Sequence, residues 1–232
     1  MRRFLTVAGA ALLVVGSVLI ASPALAAPTA TEFQIGIVVD GAPPRAGDEV
    51  SFDATLVTKA DGPVAGRQVT LLTRDQGSGD PFRVALTLVT DDQGYAHGHV
   101  KLMRNTAYRW HFAGDASYLA TSSSTLVDGV ASKVVAHTSD STPAANQAFA
   151  AYGRAYPNKA GLRVSLWVGT YQLGFGPPGS AKMIAVGRVH SDGTFRLVGR
   201  LTGHGSKKLF VRVAHDGTNL DGYSKYLTVT VH

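Results

Sequence analysis

Apolar and polar residues alternate along most of the chain, as they do in strands that bury one face. Residues 50–57 show the pattern clearly: Val50 and Phe52 begin an apolar series, and Ser51 and Asp53 begin the polar series between them. A period of two places one series against a core and the other in solvent. Turn-forming residues separate such segments, so the pattern predicts an all-β protein.

The pattern predicts seven strands in each half of the chain, as expected for a β-sandwich. In the first half they lie at 33–39, 50–57, 69–73, 82–90, 95–103, 107–113 and 123–130. In the second half they lie at 134–138, 148–156, 162–169, 182–190, 194–201, 208–214 and 225–231.

The two halves also repeat short motifs in the same order, and Phe52 aligns with Phe149. The repeated motifs are 66–71 with 161–166, 90–95 with 190–195, and 112–115 with 213–216. A period of about 100 residues is the size of a domain rather than of a solenoid unit. We therefore predict two tandem β-sandwiches at 33–131 and 132–232, after a short tail at 27–32.

The first 26 residues differ from the rest. Arg2 and Arg3 precede an apolar run, and Ala24-Leu25-Ala26 fits a signal-peptide cleavage site. We predict a signal peptide at 1–26 and a secreted, extracellular product, with association with the cell wall left open. No later segment approaches the length of a membrane span, so we expect none after cleavage. An uncleaved membrane anchor is the alternative.

Composition narrows the class further. The chain has no cysteine, so no disulfide stabilises either domain. Loss of the two charges of Arg2 and Arg3 lowers the net charge from +6 to +4, and the remaining basic residues are scattered. We therefore predict no nucleic-acid partner, and we expect a monomer.

Two segments resemble bacterial immunoglobulin-like repeat domains. In residues 108–122, the aromatic residues of an alternating strand lead into Gly114-Asp115, then Tyr118, then a Ser-rich segment. Residues 62–71 and 90–95 are similar to the same repeats, and equally to transthyretin-like and collagen-adhesin B-type domains. The second half keeps the spacing but carries Asn219 in the place of the tyrosine.

The resemblance implies two immunoglobulin-like β-sandwiches and a location outside the cell. Such repeats serve on secreted and surface proteins as spacers, adhesion modules or accessory binding modules. The resemblance implies no particular chemistry, because one fold carries many functions.

No catalytic or metal-binding motif stands out. The sequence lacks the nucleophile elbow, the zinc-protease motif and the phosphate-binding loop, so we predict a non-enzyme without cofactor or metal. His97 and His99 share one strand face, as two metal ligands would, but no third ligand is evident, because sandwich topology usually assigns the strand of His111 to the other sheet. The segment 216–222 lacks the acidic alternation of a calcium loop and predicts a turn.

The second half carries more outward-facing aromatic residues than the first. By strand parity, Tyr152, Arg154 and Tyr156 face outward, and so does Trp167. An inserted segment at 171–180 adds aromatic residues, and contiguous exposed aromatic surface usually marks a binding site. The candidate binding residues are Tyr152, Arg154, Tyr156, Trp167, Tyr171 and Phe175. The alternative is that Tyr152 and Trp167 lie on opposite sheets.

These observations favour a secreted or cell-surface, non-enzymatic binding or adhesion module. Its partner would be an extracellular protein or a polysaccharide, recognised through the aromatic residues of the second domain. Three alternatives remain: a carrier with an apolar pocket, an enzyme inhibitor that uses the Gly- and Pro-rich segment 174–179, and a purely structural spacer.

Overall fold

The computed structural model describes residues 27–35, 42–170 and 181–232. These residues form strands and turns, and among them there is no helix with the length and apolar character needed to cross a membrane. The predicted signal peptide at 1–26 lies outside the described residues.

The described strands fall into two successive groups. Domain one contains β1 (Thr31–Gln34), β2 (Glu49–Thr58), β3 (Gln68–Asp75), β4 (Arg83–Val89), β5 (Tyr95–Lys101), β6 (Thr106–Phe112), β7 (Thr121–Ser122) and β8 (Leu126–Asp128). Domain two contains β9 (Lys133–Thr138), β10 (Ala148–Tyr156), β11 (Arg163–Val168), β12 (Lys182–Arg188), β13 (Thr194–Arg200), β14 (Gly205–Val213), β15 (Gly222–Tyr223) and β16 (Leu227–Val231).

Each domain packs a three-stranded sheet against a larger one. In domain one the sheet β1-β2-β5 faces β4-β3-β6, and both β7 and β8 pair with β6. Domain two repeats this order with β9-β10-β13 and β12-β11-β14, and both β15 and β16 pair with β14. The fourth strand joins the third rather than the fifth, unlike the constant-type immunoglobulin arrangement. The predicted all-β fold, two tandem immunoglobulin-like sandwiches, is confirmed.

Alternating side chains fill both cores as the sequence pattern predicts. In domain one, Trp110 is fully buried, with Phe112 beside it on the inner face of β6. Tyr108 packs against the same core, with its ring 4.8 Å from that of Phe52 in an edge-to-face arrangement. Burial raises the pKa of Tyr108 to about 12, since ionisation is unfavourable away from water.

The strand register corrects one detail of the repeat. The amides of Leu56 and Ala155 donate to the carbonyls of Gly94 and Gly193, the glycines of equivalent turns. Phe52 is therefore equivalent to Ala151, and its predicted alignment with Phe149 is wrong by two residues. Because two residues are one full period of a strand, this shift leaves every side chain on its predicted face.

A serine separates the last two strands of each domain, of which the first, β7 or β15, precedes the predicted final strand. The hydroxyl of Ser123 accepts the amide of Trp110, and that of Ser224 accepts the amide of Val211, at 2.9 and 3.0 Å. Each hydroxyl also donates to the carbonyl of the next residue. A side chain thus replaces a strand carbonyl as acceptor, and this splits the final pairing into two short strands in each domain.

The segment between the domains is hydrogen-bonded on both sides. Val130 and Ser132 are buried, and Ala131 forms parallel bridges with Arg45 of domain one and Leu220 of domain two. The amide of Leu220 donates to the carbonyl of Val130, and the amide of Ser132 donates to that of Leu220. No flexible spacer lies between the two sandwiches at this point.

We expect Trp110→Ala to lower the free energy of unfolding of domain one by about 3–5 kcal/mol, because a large cavity replaces a fully buried ring. Val89→Ala is the matched control, since that side chain is 65% exposed and its truncation opens no cavity. Urea denaturation followed by circular dichroism measures both. Equal midpoints for the two variants would contradict the core assignment.

Candidate functional site

A polar, aromatic surface covers the outside of the three-stranded sheet of domain two. Its strands contribute alternate residues, while the residues between them enter the core. We call this surface the tyrosine–arginine face. It consists of Lys133, Val135 and His137 on β9, Tyr152, Arg154 and Tyr156 on β10, and Thr194, Arg196, Val198 and Arg200 on β13.

The central strand β10 builds the middle of this face from small inner and large outer residues. Ala151 and Ala155 are buried, whereas Tyr152 and Tyr156 are 42% and 41% exposed. The residue between the alanines, Gly153, has to be glycine, because a Cβ at this position would collide with the carbonyl oxygen of Val135. The close approach of β9 therefore requires glycine, and it brings the outer side chains of the two strands together.

The register places specific neighbours around each tyrosine. Tyr152 lies between His137 and Arg196, with its ring centroid 5.8 Å from that of the histidine. Tyr156 lies opposite Lys133. The two tyrosines are four positions apart on one strand, a distance of about 13 Å at a rise of about 3.3 Å per residue. The face therefore presents two half-exposed rings with a cation, Arg154, between them.

The face is positively charged. Lys133, Arg154, Arg196 and Arg200 belong to it, and no aspartate or glutamate does. Within the described chain, none of these four cations lies within ion-pair distance of a carboxylate, and Arg200 donates to a backbone carbonyl instead. Arg154 interacts with the charge of Asp192 in a neighbouring turn, but without an ion pair these cations are available to an acidic partner.

The structure divides the predicted binding residues. Tyr152, Arg154 and Tyr156 share the tyrosine–arginine face, whereas Trp167 lies on the other sheet of the sandwich. Its ring stacks on that of Phe210, at 6.2 Å and 3°, and its Nε1 donates to the hydroxyl of Ser165. The predicted contiguity of Trp167 with Tyr152 is wrong, because parity fixes the face of a strand but not the sheet to which it belongs. Tyr171 and Phe175 lie outside the described residues.

Sequence analysis missed the outer residues of β9 and β13. Lys133, His137 and Arg196 occupy alternate positions on strands that the pattern did predict. The alternation therefore showed that these side chains face outward. To place them beside Tyr152 and Arg154, however, it was necessary to know that β9 and β13 flank β10. Strand pairing is a long-range property, and the local alternation does not encode it.

A buried lysine at the domain junction is a second feature that sequence analysis missed. Lys159, in the turn between β10 and β11, is only 4% exposed. Its Nζ donates to Asp216 Oδ2 at 2.8 Å, Thr218 Oγ1 at 2.9 Å and Asn219 Oδ1 at 2.8 Å. An ammonium group has three donors, so this one is fully satisfied, as a buried charge must be.

The same network reaches domain one. Asn219 Nδ2 donates to the carbonyls of Met103 and Val130, both at 3.0 Å. The amide of Asn105 donates to the carbonyl of Thr218 at 2.8 Å. Asn219 thus accepts from a lysine of its own domain and donates to two carbonyls of the other.

Two residues of this network, Lys159 and Asn219, differ from their equivalents in domain one. They stand where domain one has Val64, which is buried in its core, and Tyr118, which is partly buried against that core. The aspartate turn itself is the same in both domains: Asp115 and Asp216 each accept two backbone amides within their own turns. Two residues that serve the core of domain one are therefore replaced in domain two by a hydrogen-bonded polar pair, and Asn219 of that pair also bonds to domain one.

The segment 216–222 forms a turn, as predicted, and its carboxylates already have partners. Asp216 binds Lys159, and Asp221 Oδ2 accepts from Nε and Nη2 of Arg212 at 3.0 and 2.7 Å. Both carboxylates of this turn are thus engaged by cations of the protein itself.

Comparisons with known proteins show likeness of structure only. No protein-family model and no curated protein sequence matches the chain. The D0–D1 domains of intimin match with 15% identity and a TM-score of 0.31, over 85% of this chain and 97% of that one. A 282-residue C-terminal fragment of intimin, solved with the intimin-binding domain of the translocated intimin receptor, matches with 12% identity and a TM-score of 0.41, over 87% and 64%.

Red sea bream transglutaminase matches with 17% identity and a TM-score of 0.38, over 87% of this chain and 31% of that one. These TM-scores are low, so the fold assignment rests on the strand order and register described above.

We expect Lys159→Met to destabilise domain two by about 1–3 kcal/mol at pH 5 and above, because it leaves Asp216 and Asn219 without their donor. Burial raises the pKa of Asp216, but hydrogen bonds from Lys159 and Thr218 outweigh it and lower the pKa to about 2. A carboxylate with a depressed pKa contributes stability above its unfolded pKa of 3.8 and loses it as the pH falls towards 2.

The difference in stability between wild type and Lys159→Met should therefore narrow between pH 4 and about pH 2. Chemical denaturation across this range measures it, with Lys225→Met as the control at an exposed lysine of the same domain. If wild type and Lys159→Met differ in stability by the same amount at pH 4 and at about pH 2, the ion pair of Lys159 with Asp216 is not the origin of the difference.

Proposed function

We propose that the chain is an extracellular, non-enzymatic binding module of the adhesion type, and that it recognises an acidic protein surface through the tyrosine–arginine face. One observation supports this above all: two half-exposed tyrosines flank an arginine on a sheet face that has four cations and no acidic residue. The signal-peptide pattern of residues 1–26 supports the extracellular location.

The residue types favour a protein partner. Tyrosine and arginine are enriched among the residues that contribute most to protein–protein binding, because each combines a broad apolar surface with hydrogen-bonding groups. A polysaccharide with acidic groups is the alternative partner, and the experiment below distinguishes it.

The aspartate pairings of domain two support a non-enzymatic role. Asp216 and Asp221 are each held by a cation of the protein, and Asp192 accepts from Thr194 in its own turn. Hydrogen bonds from Thr194, together with the charge of Arg154, keep the pKa of Asp192 below its usual value. These carboxylates are fully charged and engaged, which does not suit a general acid or base near neutral pH.

The alternatives receive less support. A cleft of about 350 Å³ in domain one is lined by charged residues such as Arg74 and Asp75 as well as by apolar ones such as Leu102, whereas a carrier needs a mainly apolar pocket. The segment 174–179, on which the inhibitor hypothesis depends, lies outside the described residues. A pure spacer would have no reason to gather four unpaired cations around exposed tyrosines.

We expect Tyr152→Ala and Arg154→Glu each to weaken binding to an acidic protein partner at least tenfold, and the two together to abolish it. Binding of wild type should also weaken as salt concentration rises, since exposed charges are screened. Affinity capture from an extracellular protein fraction, followed by titration of the captured partner, provides the measurement.

The matched controls carry the same changes elsewhere. Tyr95→Ala truncates a tyrosine that is 40% exposed on domain one, and Lys182→Glu reverses an exposed charge on the other sheet of domain two. Both should bind as wild type does. If Tyr152→Ala and Arg154→Glu bind normally, the face is not the site. If only an acidic glycan competes, the partner is a polysaccharide.

A further inference from the structure

Two histidines on the outer face of domain one point their Nε2 atoms at each other. His97 and His99 lie on β5, an edge strand, with one residue between them. Their Nε2 atoms are 3.2 Å apart, and their rings are almost perpendicular, at 87°. Adjacent nitrogen ligands of a tetrahedral zinc ion are about 3.3 Å apart, given Zn–N bonds of about 2.0–2.1 Å. The spacing of the two atoms fits this geometry.

The other nitrogen of each ring is already held by β2. His97 Nδ1 contacts Asp53 Oδ1 at 2.5 Å, and His99 Nδ1 contacts the hydroxyl of Ser51 at 3.2 Å. The cross-strand register explains both contacts, because Asp53 pairs with His97 and Ser51 with His99. The side chains of β2 therefore fix the orientation of both rings, and each ring directs its Nε2 away from β2.

Asp53 fixes the proton on His97. Asp53 also accepts a hydrogen bond from the hydroxyl of Tyr95, which holds its carboxylate in place. With a carboxylate acceptor at Nδ1, the neutral imidazole of His97 carries its hydrogen there, and its Nε2 is left with a lone pair. A carboxylate that holds the rear nitrogen of a metal-binding histidine orients the ring and increases its basicity.

From this geometry we infer that His97 and His99 form a two-imidazole site for a divalent transition metal, with Asp53 and Ser51 as its supporting residues. Imidazole ligands suit Zn²⁺, Ni²⁺ and Cu²⁺, and the general order of affinities places Cu²⁺ first. Across the described ranges, no group of three or more histidines, cysteines or carboxylates surrounds a common point. Water or a donor from another molecule fills the remaining positions, so the site binds metal reversibly.

The position of the site agrees with this role. His97 keeps 43% of its side chain exposed although it is bonded at Nδ1, so a hydrated ion can reach Nε2 without any movement of the backbone. The positions of domain two equivalent to His97 and His99 carry Arg196 and Val198, which cannot bind a metal in this way. The site therefore belongs to domain one alone and is independent of the tyrosine–arginine face.

Titration of untagged protein with Cu²⁺ and with Zn²⁺ tests the inference, with calorimetry for affinity and electron paramagnetic resonance of the Cu²⁺ form for the number of nitrogen ligands. We expect one ion per chain and two imidazole nitrogens. His97→Ala and His99→Ala should each weaken binding at least tenfold. Asp53→Asn keeps both imidazoles and should weaken binding about 10–100-fold, as loss of a supporting residue does.

His111→Ala is the matched control, because His111 lies on the other sheet of the same domain and bonds Ser122 through Nδ1. It should bind metal as wild type does. The thermal stability of each variant without metal shows that the fold is intact. The inference is overturned if wild type binds no more tightly than His97→Ala and His99→Ala, or if Asp53→Asn leaves the affinity unchanged.

Discussion

Burial of alternate side chains between two sheets stabilises each domain, and no disulfide assists it because the chain has no cysteine. Trp110 and Leu71 in domain one and Leu166 in domain two are fully buried on this principle. The same alternation directs the intervening side chains outward. The outer faces of the sheets and the turns therefore carry the chemistry of the protein. Both candidate sites are of this kind: each combines outer residues of neighbouring strands of a three-stranded sheet.

Equivalent positions on this common scaffold carry different chemistry in the two domains. Asp53 of domain one corresponds to Tyr152 of domain two, and His97 corresponds to Arg196. The first pair forms a hydrogen-bonded contact between a carboxylate and an imidazole, whereas the second presents an aromatic ring and a cation. Because neither position contributes to a core, both can vary without loss of the fold.

Local alternation predicted the fold class, most strands and the outward direction of Tyr152, Arg154 and Tyr156, because each is a property of neighbouring residues. It could not predict which strands are neighbours. For this reason Trp167 was expected beside Tyr152 but lies on the opposite sheet, and Arg196 was overlooked. The contact of Lys159 with Asn219 joins two turns 60 residues apart, and no periodicity reports on such a contact.

The segment between the domains, residues 130–132, affects any attempt to study one domain without the other. Val130 fills the core of domain one, yet its carbonyl accepts the amides of Leu220 and Asn219. Excision of domain two after Val130 would deprive these two donors of the carbonyl that they share, and a cut before Val130 would open the core of domain one. Neither half can be isolated with intact ends, so dissection of the protein requires fragments that overlap across this segment.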